Sequence, residues 1–346
     1  MNILNKRLLV DYEANNKSTG IINGKSSNIL NWDDTAYPTT YPKYKRMLAN
    51  FWTPFEINMN ADINQFRELD EEQQETFLKI IGLLALLDSI QSDFAMRISD
   101  YLTDSGINAL MIILAQQEVI HNHSYSYVLS SLVPKEVQDR VFDYWKTDEH
   151  MKKRNKPVLD GYQEGIENGF TPEAMLKSII HDITLEGLNF YSGFAFFYDL
   201  ARAGKMVATS TMINYINRDE ELHVDLFVFI YKTILEENPQ YDTPEQNAMI
   251  TEIMREAALA EIEWGNYVVG YKFDTIDMAD LEGYIQFIAN KRAKQLGATE
   301  MPFPGVRKNP MKWIKYYEDM DMGKTDFFEQ KNRQYVKTGD TFNDLQ

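Results

Sequence analysis

Residues 69–102 run without a proline or a turn cluster, and apolar side chains return at helical spacing at Phe77, Ile80, Ile81, Leu84, Leu87 and Ile90. Three more segments share this character. Residues 107–132 stop at Pro134. Residues 172–203 have Thr171 as N-cap, Pro172 in the first turn and Gly204 as the stop, and residues 205–237 end at Asn238-Pro239. Each is more than twice the usual helix of about 11–12 residues. Their apolar faces are broad and follow no strict heptad, which predicts an all-α bundle of four long helices rather than a coiled coil or a solenoid. Shorter helices are expected at 244–267 and 278–294. Residues 1–60, with Gly20, Gly24, Pro38, Pro42 and Pro54, read as an N-terminal extended arm. The helical domain is expected over 61–300, and 301–346 as a C-terminal segment whose last residues are polar.

Two Glu-x-x-His motifs, Glu118-Val-Ile-His121 and Glu220-Glu-Leu-His223, fall inside two of these helices. Positions i and i+3 share a helix face, so a carboxylate and an imidazole can close on one metal ion. One such motif is weak, since a surface Glu–His contact has the same spacing. Two, flanked by Met111, Ile112 and Leu114 and by Ile213, Ile216, Leu226 and Phe227, require buried carboxylates. These must be paired or ligate a metal, because an isolated buried charge costs several kcal/mol. The remaining two long helices each hold one acid in an aliphatic face, Asp88 and Glu186. Four carboxylates balance two divalent ions in charge, and oxygen plus imidazole donors suit iron or manganese.

The chain has no cysteine, which excludes a disulfide framework, a thiolate metal site and a thiol nucleophile. Its 35 Lys+Arg against 52 Asp+Glu give a net charge of −17, which argues against a general basic surface for nucleic acid. The aliphatic run at 80–87 is far short of the roughly 20 residues of a membrane span. With no export signal visible at the start, a cytoplasmic location is expected.

Tyr125 follows Glu118 by seven residues, about two turns, and so lies along the same face. Phe190, Phe194 and Ile216 stand four or eight residues from candidate ligands and offer a dry wall, which Ile81 can join. An ordinary core tyrosine would satisfy the same spacing.

The stretches Leu87-Asp88-Ser89-Ile90-Gln91, Glu118-Val-Ile-His121-Asn-His-Ser124-Tyr125-Ser126 and Arg218-Asp219-Glu220-Glu221-Leu222-His223 resemble the radical-generating small (beta, R2) subunit of class I ribonucleotide reductase. The likeness runs from Trp52 to His223, with a compatible tail to Gln346. It implies a ferritin-like helical bundle in which Asp88, Glu118 and His121 bind one metal and Glu186, Glu220 and His223 the other, Glu118 and Glu220 bridging. By the same resemblance Tyr125 holds a tyrosyl radical, with Phe190, Phe194 and Ile216 as its pocket. Trp52 relays electrons, Asp219 links Trp52 to His121, and Tyr335 in the tail passes the oxidising equivalent on. The metals implied are two iron ions, with two manganese ions as the alternative.

The implied partners are a large (alpha) subunit, a second copy in a homodimer, and a flavodoxin-like activase if the metal is manganese. Phe342 and Leu345 are the apolar anchors expected in the docking tail. The activity implied is ribonucleoside-diphosphate reduction, which supplies deoxyribonucleotides for DNA replication, with the thiol chemistry on the partner chain. Two other readings use the same Glu-x-x-His pairs: another di-metal oxidase or oxygenase, such as an R2-like ligand-binding oxidase, and a metal-storage bundle.

Overall fold

The computed structural model describes residues 3–318, which are helix, turn and irregular chain with no strand among them. Tyr335, Phe342 and Leu345 lie outside the described residues. The chain divides into two compact units, Met1–Pro310 and Met311–Gln346. Among its described residues the second unit holds one short helix, Ile314–Glu318. Everything below concerns the first.

In chain order the helices of this unit are α1 (Thr40–Ala49), α2 (Asn60–Glu68), α3 (Glu71–Ser99), α4 (Ser105–Leu132), α5 (Lys135–Phe142), α6 (Tyr144–Thr147), α7 (Glu149–Asn168), α8 (Pro172–Thr184), α9 (Tyr191–Arg202), α10 (Val207–Glu237), α11 (Pro244–Val268) and α12 (Met278–Leu296). A π-helical turn, Leu185–Asn189, joins α8 to α9. The four expected long helices are therefore α3, α4, the α8–π–α9 run and α10. The third is not one uniform helix: a wider i→i+5 turn interrupts it at Glu186. Residues 1–60, read as extended, contain α1 and a 3-10 turn at Pro54–Glu56. Ahead of α1 the chain lies against the body, with Leu4, Ile21 and Ile22 buried and the Ile21 amide donating to Glu237 at 2.8 Å. Helix α7 was not expected, since Pro157 and a run of charges obscure its period.

Capping fixes where the long helices start. Asp70 accepts from the Gln73 amide at 2.8 Å to open α3. Asp104 accepts from Gly106 and Ile107, each at 2.9 Å, to open α4. Thr171 caps α8 as expected, accepting from Ala174 at 3.2 Å. Gly204, at φ +74, ends α9, with the Lys205 amide closing back on the Leu200 carbonyl at 2.8 Å. Helix α10 begins differently. Met206 takes the left-handed φ of 52 and supplies no side-chain cap, so the cap comes from α2: buried Asp62 accepts from the amides of Ala208 (3.1 Å) and Thr209 (2.7 Å) and from the Thr209 hydroxyl (2.7 Å).

Helix α3 packs along α4 through the short connection 100–104, and α10 packs against α4, α8 and the π turn. Helices α7, α11 and α12 close the far side of the π turn and α8. The four long segments thus enclose one core in which Phe77, Leu84, Leu87, Met111, Leu114, Ile183, Leu188 and Phe227 are fully buried. Because a single side chain on α2 caps the helix that carries Glu220 and His223, Asp62→Ala is expected to lower the unfolding free energy by about 1–2 kcal/mol. Urea denaturation measures this, and an unchanged midpoint would mean that α10 does not depend on the cap.

Candidate metal centre

Each long segment sends one or two candidate ligands into the core. Asp88 comes from α3, Glu118 and His121 from α4, Glu186 from the π turn, and Glu220 and His223 from α10; all six are fully buried. Their ligand atoms form two overlapping groups, Asp88–Glu118–His121 and Glu118–Glu186–Glu220–His223, with the atoms of each group within 4.8 Å of one another. Glu118 and Glu220 each face both imidazoles. Glu118 places Oε2 3.8 Å from His121 Nδ1 and Oε1 3.0 Å from His223 Nδ1. Glu220 places Oε1 3.1 Å from His121 Nδ1 and Oε2 2.7 Å from His223 Nδ1. Glu186 Oε1 is 3.7 Å from His223 Nδ1.

The imidazoles are oriented from behind. His121 turns Nε2 to Asp219 Oδ2 at 3.2 Å, and His223 turns Nε2 to Gln117 Oε1 at 3.1 Å. An Nε2–H donated outward leaves the Nδ1 lone pair facing the carboxylates, which is the orientation a metal ligand needs. Asp219 Oδ2 also accepts from Trp52 Nε1 at 2.9 Å. Trp52 and His121 lie with ring centroids 6.1 Å apart and planes 23° from parallel. The structure therefore brings Trp52, Asp219 and His121 into one buried line.

The electrostatics are those of a cation site. Apart from the two Nδ1 atoms that face them, no well-placed hydrogen-bond partner reaches the carboxylate oxygens of Asp88, Glu118 and Glu220 or Oε2 of Glu186. Burial, then repulsion from neighbouring acids, pushes the Asp88 and Glu186 carboxyls well above the usual range. At Glu220 the same burial is outweighed by the two imidazoles, which hold its carboxyl low. Burial would lower both histidines, but Glu220 and its neighbours raise them. So many unpartnered oxygens in a dry core fit a metal pair, with hard donors and no thiolate, as the sequence suggested.

Tyr125 is buried on the same side, and burial followed by the charge on Asp88 pushes its phenol well up. Its hydroxyl makes no hydrogen bond of good geometry. Phe190, Phe194 and Ile216 are fully buried, the two phenyl rings 5.7 Å apart, and so is Ile81.

Sequence reasoning missed a second polar layer behind Glu186. Gln91 donates to Glu186 Oε1 at 2.5 Å and to Asp182 Oδ1 at 2.7 Å, while the Tyr162 hydroxyl lies 2.9 Å from Gln91 Oε1 and 3.0 Å from Asp182 Oδ1. Gln91 is three residues after Asp88 and Asp182 four before Glu186, so helical spacing alone would have found both. Tyr162, stacked on Phe94 with centroids 3.6 Å apart, comes from the unexpected α7.

A helical bundle that gathers four carboxylates and two histidines into one dry cluster defines the di-metal carboxylate class. The model of the family "Ribonucleotide reductase, small chain" matches residues 29–310. The chain is 58% identical over 337 residues to the ribonucleoside-diphosphate reductase subunit beta of Halalkalibacterium halodurans, covering 97% of each chain. It is 36% identical over 327 residues to the Treponema pallidum subunit beta, covering 94% of this chain and 93% of that one. Among solved structures, the ribonucleotide reductase R2 subunit from Clostridium botulinum superposes with a TM-score of 0.89 at 36% identity, over 92% of this chain and all of that one. The chain belongs to the ribonucleotide reductase small chain family, the radical-generating beta subunits of ribonucleoside-diphosphate reductase.

Because burial and the neighbouring acids make a carboxylate at Glu186 costly without a cation, Glu186→Gln is expected to raise the melting temperature of the chelator-treated protein. Adding Fe(II) or Mn(II) should stabilise the unsubstituted chain, by about 2.7 kcal/mol at a hundredfold excess over Kd, and the variant less. Cations that shift neither melting curve would refute a metal site here.

Proposed function

We propose that Asp88, Glu118 and His121 hold one metal ion and Glu186, Glu220 and His223 the other, with Glu118 and Glu220 shared. Two iron ions are the first choice and two manganese ions the alternative, the latter with a flavodoxin-like activase. When bound, the pair would supply the oxidising power, gained from O₂ or a reduced oxygen species, to take one electron and one proton from a phenol. Tyr125 is that phenol, and the observation that carries the reading is its placement: buried, beside Asp88, on the helix that bears Glu118 and His121. Burial keeps water and reductants from the oxidised ring and so prolongs its life. A storage bundle has no use for such a phenol, nor for a tryptophan hydrogen-bonded through Asp219 to His121.

As a ribonucleotide reductase small chain, the protein works with a large subunit. A chain with no cysteine cannot supply a thiyl radical, so that step belongs to the partner. We place the route of the oxidising equivalent along Trp52 and Asp219, with Tyr335 as the tail residue that passes it on. Apolar side chains exposed on α3 and α4, Met96, Ile112 and Val119, support a homodimer. No described helix is long and apolar enough to cross a membrane, which accords with a cytoplasmic location. The working division is an arm to residue 60, a metal-binding body over 61–300 and a docking segment beyond.

Electron paramagnetic resonance after loading with Fe(II) or Mn(II) and oxygen, with and without the activase, tests the centre. A tyrosyl signal is expected in the unsubstituted chain and none in Tyr125→Phe; a signal that survives the substitution assigns the radical elsewhere. Trp52→Phe is expected to leave metal uptake and the tyrosyl signal intact while abolishing turnover with the large subunit. Turnover at the unsubstituted rate would remove Trp52 from the route.

A further inference from the structure

Glu186 sits in the π turn, and two guanidinium groups from helices that bear no candidate ligand close on the backbone of that turn. Arg292 on α12 donates from Nε to the Gly187 carbonyl at 2.9 Å. Arg154 on α7 donates from Nη2 to the Asn189 carbonyl. Both side chains are buried, at 0% and 4% exposure. Each is balanced by its own acid. Arg292 pairs with Glu221, Nη2 to Oε1 at 2.5 Å, and with the Tyr191 hydroxyl at 2.6 Å. Arg154 pairs with Glu261, Nε to Oε2 at 2.7 Å, and Ser192 donates to the same carboxylate.

This arrangement is costly for packing alone. Arg154–Glu261 is a fully buried ion pair, and Arg292 is a buried guanidinium whose partner Glu221 is 40% exposed. Buried charges of this kind can often be replaced by apolar side chains of similar volume with no loss of stability, so two buried guanidiniums at one five-residue turn call for another reason. The turn supplies it. An i→i+5 turn makes poorer hydrogen bonds than an α-helix and persists where surrounding structure holds it. Relaxation to the α form would rotate Glu186 about 100° relative to the residues beyond the turn. Charged donors on the Gly187 and Asn189 carbonyls oppose that relaxation. Gly187 completes the fit: a Cβ there would meet Arg292 Nε at 2.5 Å and Cδ at 2.9 Å, so the guanidinium stem occupies the space that any other residue would fill.

We infer that Arg292 and Arg154 are positioning residues that hold the π turn open and so aim Glu186 at the metal pair. The inference rests on the metal reading above. Its test uses the full chain and Mn(II) alone, with free Mn(II) followed by its paramagnetic resonance signal and folding by circular dichroism. The unsubstituted chain is expected to take up two ions. In Arg292→Met and in Gly187→Ala one of the two should bind about 10–100-fold more weakly, while Arg292→Lys, which keeps a donor, retains both. Should Arg292→Met fail to fold, Gly187→Ala decides, because alanine favours helix. Both ions held with undiminished affinity in the folded variants, even at a lower melting temperature, would reduce the arginines to supports of the fold and overturn the inference. An unsubstituted chain that takes up no Mn(II) overturns the metal reading itself, and the inference with it.

Discussion

Four carboxylates and two imidazoles lie in a core that water does not reach, and the rest of the molecule is arranged around that charge. Burial and mutual repulsion disfavour the charged forms of Asp88 and Glu186, and several of the cluster's oxygens have no well-placed donor. A fold driven only by apolar burial would expel such groups. Their retention requires helices long enough to deliver ligands from four directions, end caps that fix the register of those helices, and polar side chains that orient each ligand from behind. Asp62, Asp104, Gln117, Gln91 and Asp219 serve these needs at different distances from the cluster.

The same charge explains the polarity gradient around the site. Beside Asp88 the Tyr125 phenol is buried and finds no good hydrogen bond, and the apolar side chains of Phe190, Phe194, Ile81 and Ile216 are all buried in the same core. Behind Glu186 lies a connected polar layer of Gln91, Asp182 and Tyr162. The first environment keeps donors away from the phenol, and the second fixes the direction of the Glu186 carboxylate.

Much of this was legible in the sequence because helical period and ligand chemistry coincide. Glu118 and His121, and Glu220 and His223, share faces by spacing alone, and acids embedded in aliphatic runs marked Asp88 and Glu186. The bounds of α3, α4, α11 and α12 followed from apolar period and its breakers to within a few residues. What stayed hidden depends on contacts distant in sequence. Nothing local announces that Asp62 caps α10 across 146 residues or that Arg292 reaches the Gly187 carbonyl from 105 residues away. Helix α7 escaped because Pro157 and its charges mask the period, and with it went Tyr162 and Arg154. The π turn was invisible for a related reason: the residues on either side of Glu186 read as continuous helix, and only the third dimension shows what keeps that helix from closing.

Three consecutive acids on α10 have three separate destinations. Asp219 faces Trp52 and His121, Glu220 faces both imidazoles of the cluster, and Glu221 meets Arg292 and Tyr191. Successive side chains on a helix fan out by about 100°, so one short stretch reaches the Trp52–His121 line, the carboxylate–imidazole cluster and the guanidinium at the π turn together. Inserting or deleting a single residue there would turn every one of them away from its target at once. At these positions a change of length would cost all three contacts, whereas a change of side chain would cost one.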